Sequence, residues 1–306
     1  MKILQRIAAA FSVGYILMFF SERVFWSRLT PENTPADLLF TWIVYSLLAF
    51  LFLWSVDYFR TRLWMTVFLC GAVFGWLAEG VIAQTIFDNF PISISWTGLA
   101  WHALISVLFG WYGLRRAYLQ GSARQVALLA GGMGVLWGLW ALWWPVDLGR
   151  PIPLAGFLLN TWVGSLLLLA AYWVYDAVQP KHFHPNRVEI AVVGLAVFFW
   201  FAIVTVPAVA LRALLIPALI GLTLFGLWRA RRTSAHASML AVLRGTLRPG
   251  AAAAILAMPL AASLVYWAGL SLGFFPPTNA IVLGITAPVG FVLYGLSLSW
   301  AIRGTI

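Results

Sequence analysis

Charged residues are scarce in this sequence. They make up 9% of its 306 residues, whereas 63% are hydrophobic, and the mean hydropathy is +0.93. A soluble domain needs polar side chains to cover its surface, and this composition supplies too few of them. The composition therefore excludes a soluble globular protein and indicates an integral membrane protein.

Several residue types that carry membrane chemistry are also nearly absent. The one cysteine, Cys70, lies in an apolar run, which excludes a disulfide framework and a cysteine metal cluster. The two lysines, Lys2 and Lys181, lie outside the apolar runs, so no retinal Schiff base can form within a membrane. His102 is the one histidine in an apolar run, which excludes a haem held there by two histidines. Neither a His-Glu-x-x-His motif nor a nucleotide-binding loop occurs, and we predict no metal site and identify no cofactor.

Ten apolar segments follow one another along the chain, and each is close to the ~20 residues that cross ~30 Å of hydrocarbon. They cover residues 7–26, 38–56, 63–87, 95–113, 125–144, 154–175, 188–206, 211–228, 250–273 and 279–301. The first run continues to Phe20 without a small-residue cleavage site, so we interpret it as a membrane helix rather than a signal peptide. We predict an all-α polytopic membrane protein of about ten spans, forming a single helix-bundle domain over residues 1–306.

The basic residues are distributed very unevenly between the two sides of these segments. Of the 19 lysines and arginines, 15 lie at the termini or in loops after even-numbered segments. The exceptions are Arg23, Arg28, Arg150 and Arg212. By the positive-inside rule, this predicts a multi-pass protein of the cell's inner (cytoplasmic) membrane with both termini in the cytoplasm. The basic residues thus act as topology signals, and no nucleic-acid partner is predicted. The remaining histidines, His182, His184 and His236, fall in predicted cytoplasmic loops, which we interpret as solvated rather than metal-binding.

The segments pair into five predicted helical hairpins, each with a proline-containing turn outside and a tryptophan near the inner end of the returning helix. The hairpins cover residues 7–60, 63–116, 125–176, 188–231 and 250–303. Glu22 and Glu79, like Trp54 and Trp111, are 57 residues apart, which favours duplication of the first two hairpins. Interfacial tryptophans and turn prolines would produce a similar pattern without duplication. In span number, length and predicted termini the chain resembles the drug/metabolite transporter superfamily, which implies a carrier; no residue is assigned a role on that basis.

Glu79 and His102 are ionisable residues within apolar segments. A charge in hydrocarbon costs about 2.5–3.5 kcal/mol on insertion scales, so such residues are candidates for a functional site. Gly71, Gly75 and Glu79 share one helix face, and small residues at this spacing mark contact between membrane helices. His102 lies in a similar stripe, as does Asn160 in the sixth segment. We therefore expect Glu79, His102 and Asn160 to share one cavity in the outer half of the bundle.

Further polar residues lie at the same predicted depth, among them Glu22, Asp88 and Arg212. Together with the first three they predict an outward-facing polar cavity. The alternative is that these residues satisfy one another in pairs, such as Glu79 with Arg212. The partner of Glu79 decides its role: His102 would allow proton exchange, whereas Arg212 would keep the carboxylate ionised and architectural.

Three functions fit these features. The first is a carrier or binding protein for a small or lipid-like ligand, with Glu79 coupling a proton or cation and His102, Asn160 and Arg212 orienting the ligand. The second is an intramembrane enzyme acting on a lipid or lipid-linked substrate at the outer leaflet, with Glu79 or Asp88 and His102 as an acid–base pair. The third is a structural subunit of a larger membrane complex, because 18 tryptophans and very short loops suit a bundle packed against other membrane subunits.

Overall fold

The computed structural model describes residues 2–29, 34–178, 182–233 and 238–303, and within these ranges the secondary structure is helical. Nine helices in this part of the chain are long and apolar enough to cross a membrane. They are α1 (Ile3–Trp26), α2 (Pro35–Tyr58), α3 (Trp64–Ile82), α4 (Ile94–Gln120), α5 (Ala123–Leu148), α6 (Leu154–Val178), α7 (Arg187–Arg232), α8 (Pro249–Leu272) and α9 (Thr278–Arg303). The prediction of an all-α polytopic membrane protein is confirmed.

Three of these helices begin at capping boxes that the sequence encodes. Thr34, Ser122 and Asn186 each accept a hydrogen bond from the backbone N–H three residues later. The side chain of that later residue accepts one in return from the backbone N–H of the cap. These bonds satisfy donors that a helix start leaves unpaired. They fix the starts of α2, α5 and α7 just outside the apolar runs.

The helix α7 has 46 residues and would be about 69 Å long if straight, roughly twice the hydrocarbon thickness. It is interrupted at Ala210, where φ is 51° and ψ is −129°, and a 3-10 turn follows over Ala210–Leu214. Alanine seldom adopts a positive φ, so this position is a sharp break in the helix. The break falls between the predicted spans 188–206 and 211–228.

Contacts along α7 show where its parts lie. We call the end of the bundle that contains the start of α1 and the ends of α2, α4 and α6 the proximal end, and the opposite one the distal end. Glu189 binds Arg6 near the start of α1 at 2.5 Å, and the guanidinium of Arg231 lies 4.2 Å from the Tyr58 ring at the end of α2. Between them, Thr205 donates a hydrogen bond of 2.7 Å to the carbonyl of Val81 at the distal end of α3. These contacts favour two crossings within α7; ten spans in five hairpins remains a prediction.

The centre of the bundle is the antiparallel pair α3 and α4. A Cβ on Gly75 would lie 2.1 Å from the carbonyl oxygen of Gly98, so the two backbones touch where only glycine fits. In the apolar 18-residue stretch of α3, 78% of the residues are buried inside the bundle, whereas the corresponding share is 11% in α7 and 17% in α9. The small-residue stripes of the third and fourth segments therefore form the central contact, and α7 and α9 lie at the periphery. In the sixth segment Gly164 packs on Phe19, whereas Gly156 faces open space.

An aromatic cluster lies around the distal end of α1. Trp140 and Trp144 both donate from their indole N–H to the carbonyl oxygen of Phe25, at 2.6 and 3.3 Å. Trp101 donates to the carbonyl oxygens of Phe20 and Ser21 at 3.1 and 3.2 Å. These bonds hold the distal end of α1 against α4 and α5, which positions the side chains that follow Phe20.

Candidate functional site

Polar side chains from α1, α3 and α4 meet in the distal half of the bundle. Each is carried by a stretch in which the helix widens to π geometry: Phe19–Arg23, Leu77–Ile82 and Ile94–Leu114. A π turn re-aims side chains relative to an α-helix and is frequent at functional sites. The three stretches therefore turn Ser21, Glu22, Glu79 and His102 towards a common region.

The core of this site is a continuous chain of four side chains. Glu79 Oε1 lies 2.6 Å from His102 Nε2, and His102 Nδ1 lies 2.7 Å from Ser21 Oγ. Ser21 Oγ in turn lies 2.8 Å from Ser106 Oγ, whose hydroxyl donates to the carbonyl oxygen of Trp101 at 3.2 Å. Both imidazole nitrogens are thus engaged, which fixes the ring orientation of His102.

His102 is the partner of Glu79. The second carboxylate oxygen, Oε2, accepts a hydrogen bond from the hydroxyl of Thr85. Arg212 is exposed in the 3-10 turn of α7, and among the contacts described for this chain none joins it to Glu79. Of the two cations proposed from the sequence, the structure therefore places the imidazole, and not the guanidinium, at the carboxylate.

Glu22 lies beside this chain of side chains and shares a cavity with Glu79. Its carboxylate accepts hydrogen bonds from the hydroxyl of Tyr45 at 2.5 Å and from the indole of Trp26 at 3.0 Å. The cavity measures about 180 Å³, and both carboxylates line it together with Thr41, Tyr45 and apolar residues of α2 and α3. Two acids from different helices thus face one small space.

The two ends of the series formed by Glu79, His102, Ser21 and Ser106 differ in their exposure. The Glu79 side chain is 13% exposed, and that of His102 is 3% exposed. Ser21 is 4% exposed and does not belong to the lining of the cavity. Of the four side chains in the series, Glu79 is therefore the one that faces the cavity directly.

The order serine, histidine, glutamate is also that of a hydrolase triad. In such a triad the serine hydroxyl must reach a substrate carbonyl, whereas Ser21 is buried and shares its hydroxyl with Ser106. The accessible group is the carboxylate at the other end. Proton transfer between Glu79 and His102 fits this arrangement better than nucleophilic attack by Ser21.

Asn160 does not join the Glu79–His102 pair. It is buried against Arg23: its amide donates to the Arg23 carbonyl at 3.2 Å, and Arg23 Nη1 donates back to Oδ1 at 3.4 Å. Arg23 also lines a second, apolar cavity of about 460 Å³ between α1, α2 and α6. Of the three residues expected to share one cavity, only Glu79 belongs to the lining of the cavity that Glu22 also lines. His102 contacts Glu79 without lining that cavity, and the polar groups of Asn160 are bound by Arg23 instead.

Asp88 is exposed in the connection between α3 and α4, directly after the 3-10 turn Thr85–Phe87.

Of the six candidate residues, the structure thus brings together Glu22, Glu79 and His102. Sequence reasoning missed Tyr45, Thr85 and the role of Ser21. Ser21 directly precedes Glu22 in the sequence, and in the structure Ser21 contacts α4 whereas Glu22 contacts α2. Among the described residues, three metal-capable side chains converge only at the opposite, proximal end of the bundle.

Comparison of this chain with protein-family models, curated proteins and solved structures finds no match.

Proposed function

We propose that this protein is a membrane carrier or binding protein that takes a small cationic ligand into the cavity between α1, α2 and α3. The observation that carries the proposal is the 2.6 Å contact between Glu79 and His102 at a cavity that Glu22 also lines. In the orientation predicted from the basic residues, this cavity opens in the outer half of the membrane.

The cavity lining indicates the ligand class. Two carboxylates and the hydroxyls of Thr41 and Tyr45 surround a space of about 180 Å³, and no arginine or lysine belongs to its lining. Carboxylates accept hydrogen bonds and attract positive charge. A small amine or ammonium ion is therefore the complementary ligand, whereas an anion would be repelled.

The Glu79–His102 pair supplies a means of coupling. With a proton on the imidazole, His102 neutralises Glu79. A cation that enters the cavity competes for the same carboxylate, which favours release of that proton. Binding of the ligand and loss of the proton are then linked, as exchange of a cation for a proton requires.

The test is uptake by proteoliposomes with an acidic lumen, using radiolabelled choline and putrescine, both charged and poorly permeant. We expect the parent protein to accumulate at least one of them and Glu79→Gln to lose uptake while remaining folded. Asp88→Asn is the matched control, because it removes an exposed acid close to the same helix end, and it should retain uptake. Uptake of neither probe by the parent, or equal uptake by Glu79→Gln, would contradict the proposal.

One observation favours the enzyme alternative, namely the series Ser21–His102–Glu79. A membrane-permeant fluorophosphonate, which reacts with activated serines, distinguishes the two functions. The carrier proposal expects no labelling of Ser21. Labelling that is lost in Ser21→Ala would instead support acyl transfer on a lipid or lipid-linked substrate.

The third alternative, a subunit of a larger membrane complex, draws on the exposed faces of α7 and α9. Lipid would cover these faces as well as a partner would. Purification in a mild detergent distinguishes them, since a subunit should copurify with partners in fixed stoichiometry.

A further inference from the structure

We propose that Asp57, His182 and His184 form a binding site for Zn²⁺ at the proximal end of the bundle. Asp57 lies at the end of α2, and the histidines lie in the loop between α6 and α7. His182 Nδ1 is 3.4 Å from Asp57 Oδ1, and His184 Nδ1 is 3.4 Å from Asp57 Oδ2. The three ligand atoms all lie within 4.8 Å of one another.

The loop presents both imidazoles on one side. In an extended segment successive side chains point in opposite directions, so residues two apart share a face. Phe183 between them is fully buried, and its ring packs on Phe50 with centroids 5.2 Å apart. The rings of His182 and His184 lie nearly parallel, 14° apart in plane and 5.2 Å between centroids. Burial of Phe183 therefore fixes the register that places both imidazoles against Asp57.

The carboxylate of Asp57 is held in place by other groups. Its side chain is 2% exposed. Oδ1 accepts a hydrogen bond from the hydroxyl of Ser238 at 2.9 Å, and Oδ2 accepts one from the backbone N–H of Phe183 at 2.9 Å. Each carboxylate oxygen has a further lone pair to offer. Such outer bonds orient the ligating carboxylates of metal sites.

The distances favour an ion between these groups over direct pairing. Hydrogen bonds between a charged imidazole and a carboxylate usually measure about 2.7–2.9 Å, shorter than the 3.4 Å found for both pairs. Ligands of a tetrahedral Zn²⁺ with bonds near 2.0–2.1 Å lie roughly 3.3 Å apart. Each imidazole nitrogen thus lies at about this separation from one of the two carboxylate oxygens of Asp57. The imidazoles are 57% and 76% exposed, so they can rotate to bring both nitrogens onto one ion.

The donor set points to a transition metal. Two imidazole nitrogens and one carboxylate oxygen suit Zn²⁺, whereas Ca²⁺ and Mg²⁺ prefer oxygen ligands. Because both histidines face solvent, a fourth position remains accessible to water. Bound metal would join the loop between α6 and α7 to the end of α2, and through Ser238 to the segment that follows α7.

The test uses the tag-free full chain in detergent, freed of metal with a chelator and titrated with ZnCl₂ in a calorimeter. We expect one Zn²⁺ per chain, and Co²⁺ in its place should give the visible absorption bands of a tetrahedral site. His182→Ala and His184→Ala should each weaken binding at least about 10-fold. MgCl₂ should give no binding at this site.

Asp37→Asn is the matched control, because it removes an acid at the start of α2 rather than at its end, and it should bind as the parent does. Asp57→Asn also loses bonds to Ser238 and Phe183 and can fail to fold, so the two exposed histidines carry the test. Absence of Zn²⁺ binding by the parent, or binding by the double histidine variant equal to that of the parent, would overturn the proposal and leave a hydrogen-bonded loop contact.

Discussion

Two contacts between an acidic and a basic side chain lie near opposite ends of α4, and they differ in what surrounds them. At the proximal end, Arg115 Nη2 meets Asp176 Oδ1 of α6 at 2.6 Å. At the distal end, His102 meets Glu79 of α3 at the same distance. Both side chains of the first pair are 1% exposed, whereas Glu79 is 13% exposed and faces a cavity. Similar contacts thus lie in closed and open surroundings.

The basic groups of the two pairs also differ in whether they can exchange a proton. A guanidinium stays protonated, and that of Arg115 is further engaged by the hydroxyl of Tyr118 at 3.1 Å and by the ring of Tyr175 at 4.3 Å. An imidazole can gain or lose a proton near neutral pH. We interpret the proximal pair as an element of the fold that joins α4 to α6, and the distal pair as the proton-exchanging group of the site.

The largest expected effect on stability is at the proximal pair. Arg115→Met leaves the Asp176 carboxylate buried without its cation, and removal of one partner of a buried pair costs about 3–5 kcal/mol. We expect a sharp loss of folded protein on heating in detergent. Arg116→Met is the matched control: Arg116 is the exposed neighbour, bonded to Tyr112 and Gln120, and its loss should change stability little. Equal destabilisation by both variants would refute the structural role of the first pair.

A smaller loss is expected where α3 and α4 touch. In Gly75→Ala the new methyl group meets the backbone of Gly98, which cannot move aside as a side chain does. Overpacking of this kind costs about 1–3 kcal/mol and should separate Glu79 from His102. Gly156→Ala serves as control, because nothing lies within 4 Å of its added Cβ. The temperature of thermal unfolding and the rate of cation uptake should both fall in Gly75→Ala. Both should stay unchanged in Gly156→Ala.

The smallest effect is expected at the buried end of the side-chain series. Ser106→Ala removes a hydroxyl that lies 2.8 Å from Ser21 Oγ and bonds the Trp101 carbonyl. The loss of one such bond costs about 1 kcal/mol. Uptake should persist, because the group that faces the cavity is Glu79. If Ser106→Ala abolished uptake in folded protein, the proton path would extend through Ser21 and Ser106. The assignment of proton exchange to the Glu79 end of the series would then be wrong.

The sequence was sufficient to predict the class of fold and the face of α3 that turns Glu79 towards a neighbouring helix, but it left His102 and Arg212 open as partners of Glu79. Both follow from local pattern: apolar run length predicts spans, and the stripe Gly71–Gly75–Glu79 predicts the face that contacts α4. The placement of Asn160 was wrong because its partner, Arg23, is 137 residues away. Helical spacing predicts the depth of a residue in the bundle. It does not predict which neighbouring side chain the residue contacts when a helix is interrupted or widens to π geometry.

Asp57 illustrates the same limit at the proximal end. Its contacts with His182, Phe183 and Ser238 span 125, 126 and 181 residues of sequence. The histidines alone are typical of a solvated loop, which is how their sequence was interpreted. Only the packing of Phe183 on α2 brings a buried carboxylate to them. His236, the remaining loop histidine, lies outside the described residues.

The most direct test of the central claim is the infrared difference spectrum of the purified protein between acidic and alkaline pH. Because the exchanged proton resides on the imidazole and Glu79 stays ionised, proton exchange at the pair predicts imidazolium ring bands that appear on acidification. The part of these bands that belongs to His102 should be absent in His102→Gln and shifted in Glu79→Gln. Glu22→Gln separates any contribution of the second carboxylate on the cavity. A spectrum of His102→Gln identical to that of the parent would show that His102 does not exchange a proton, and it would contradict the account.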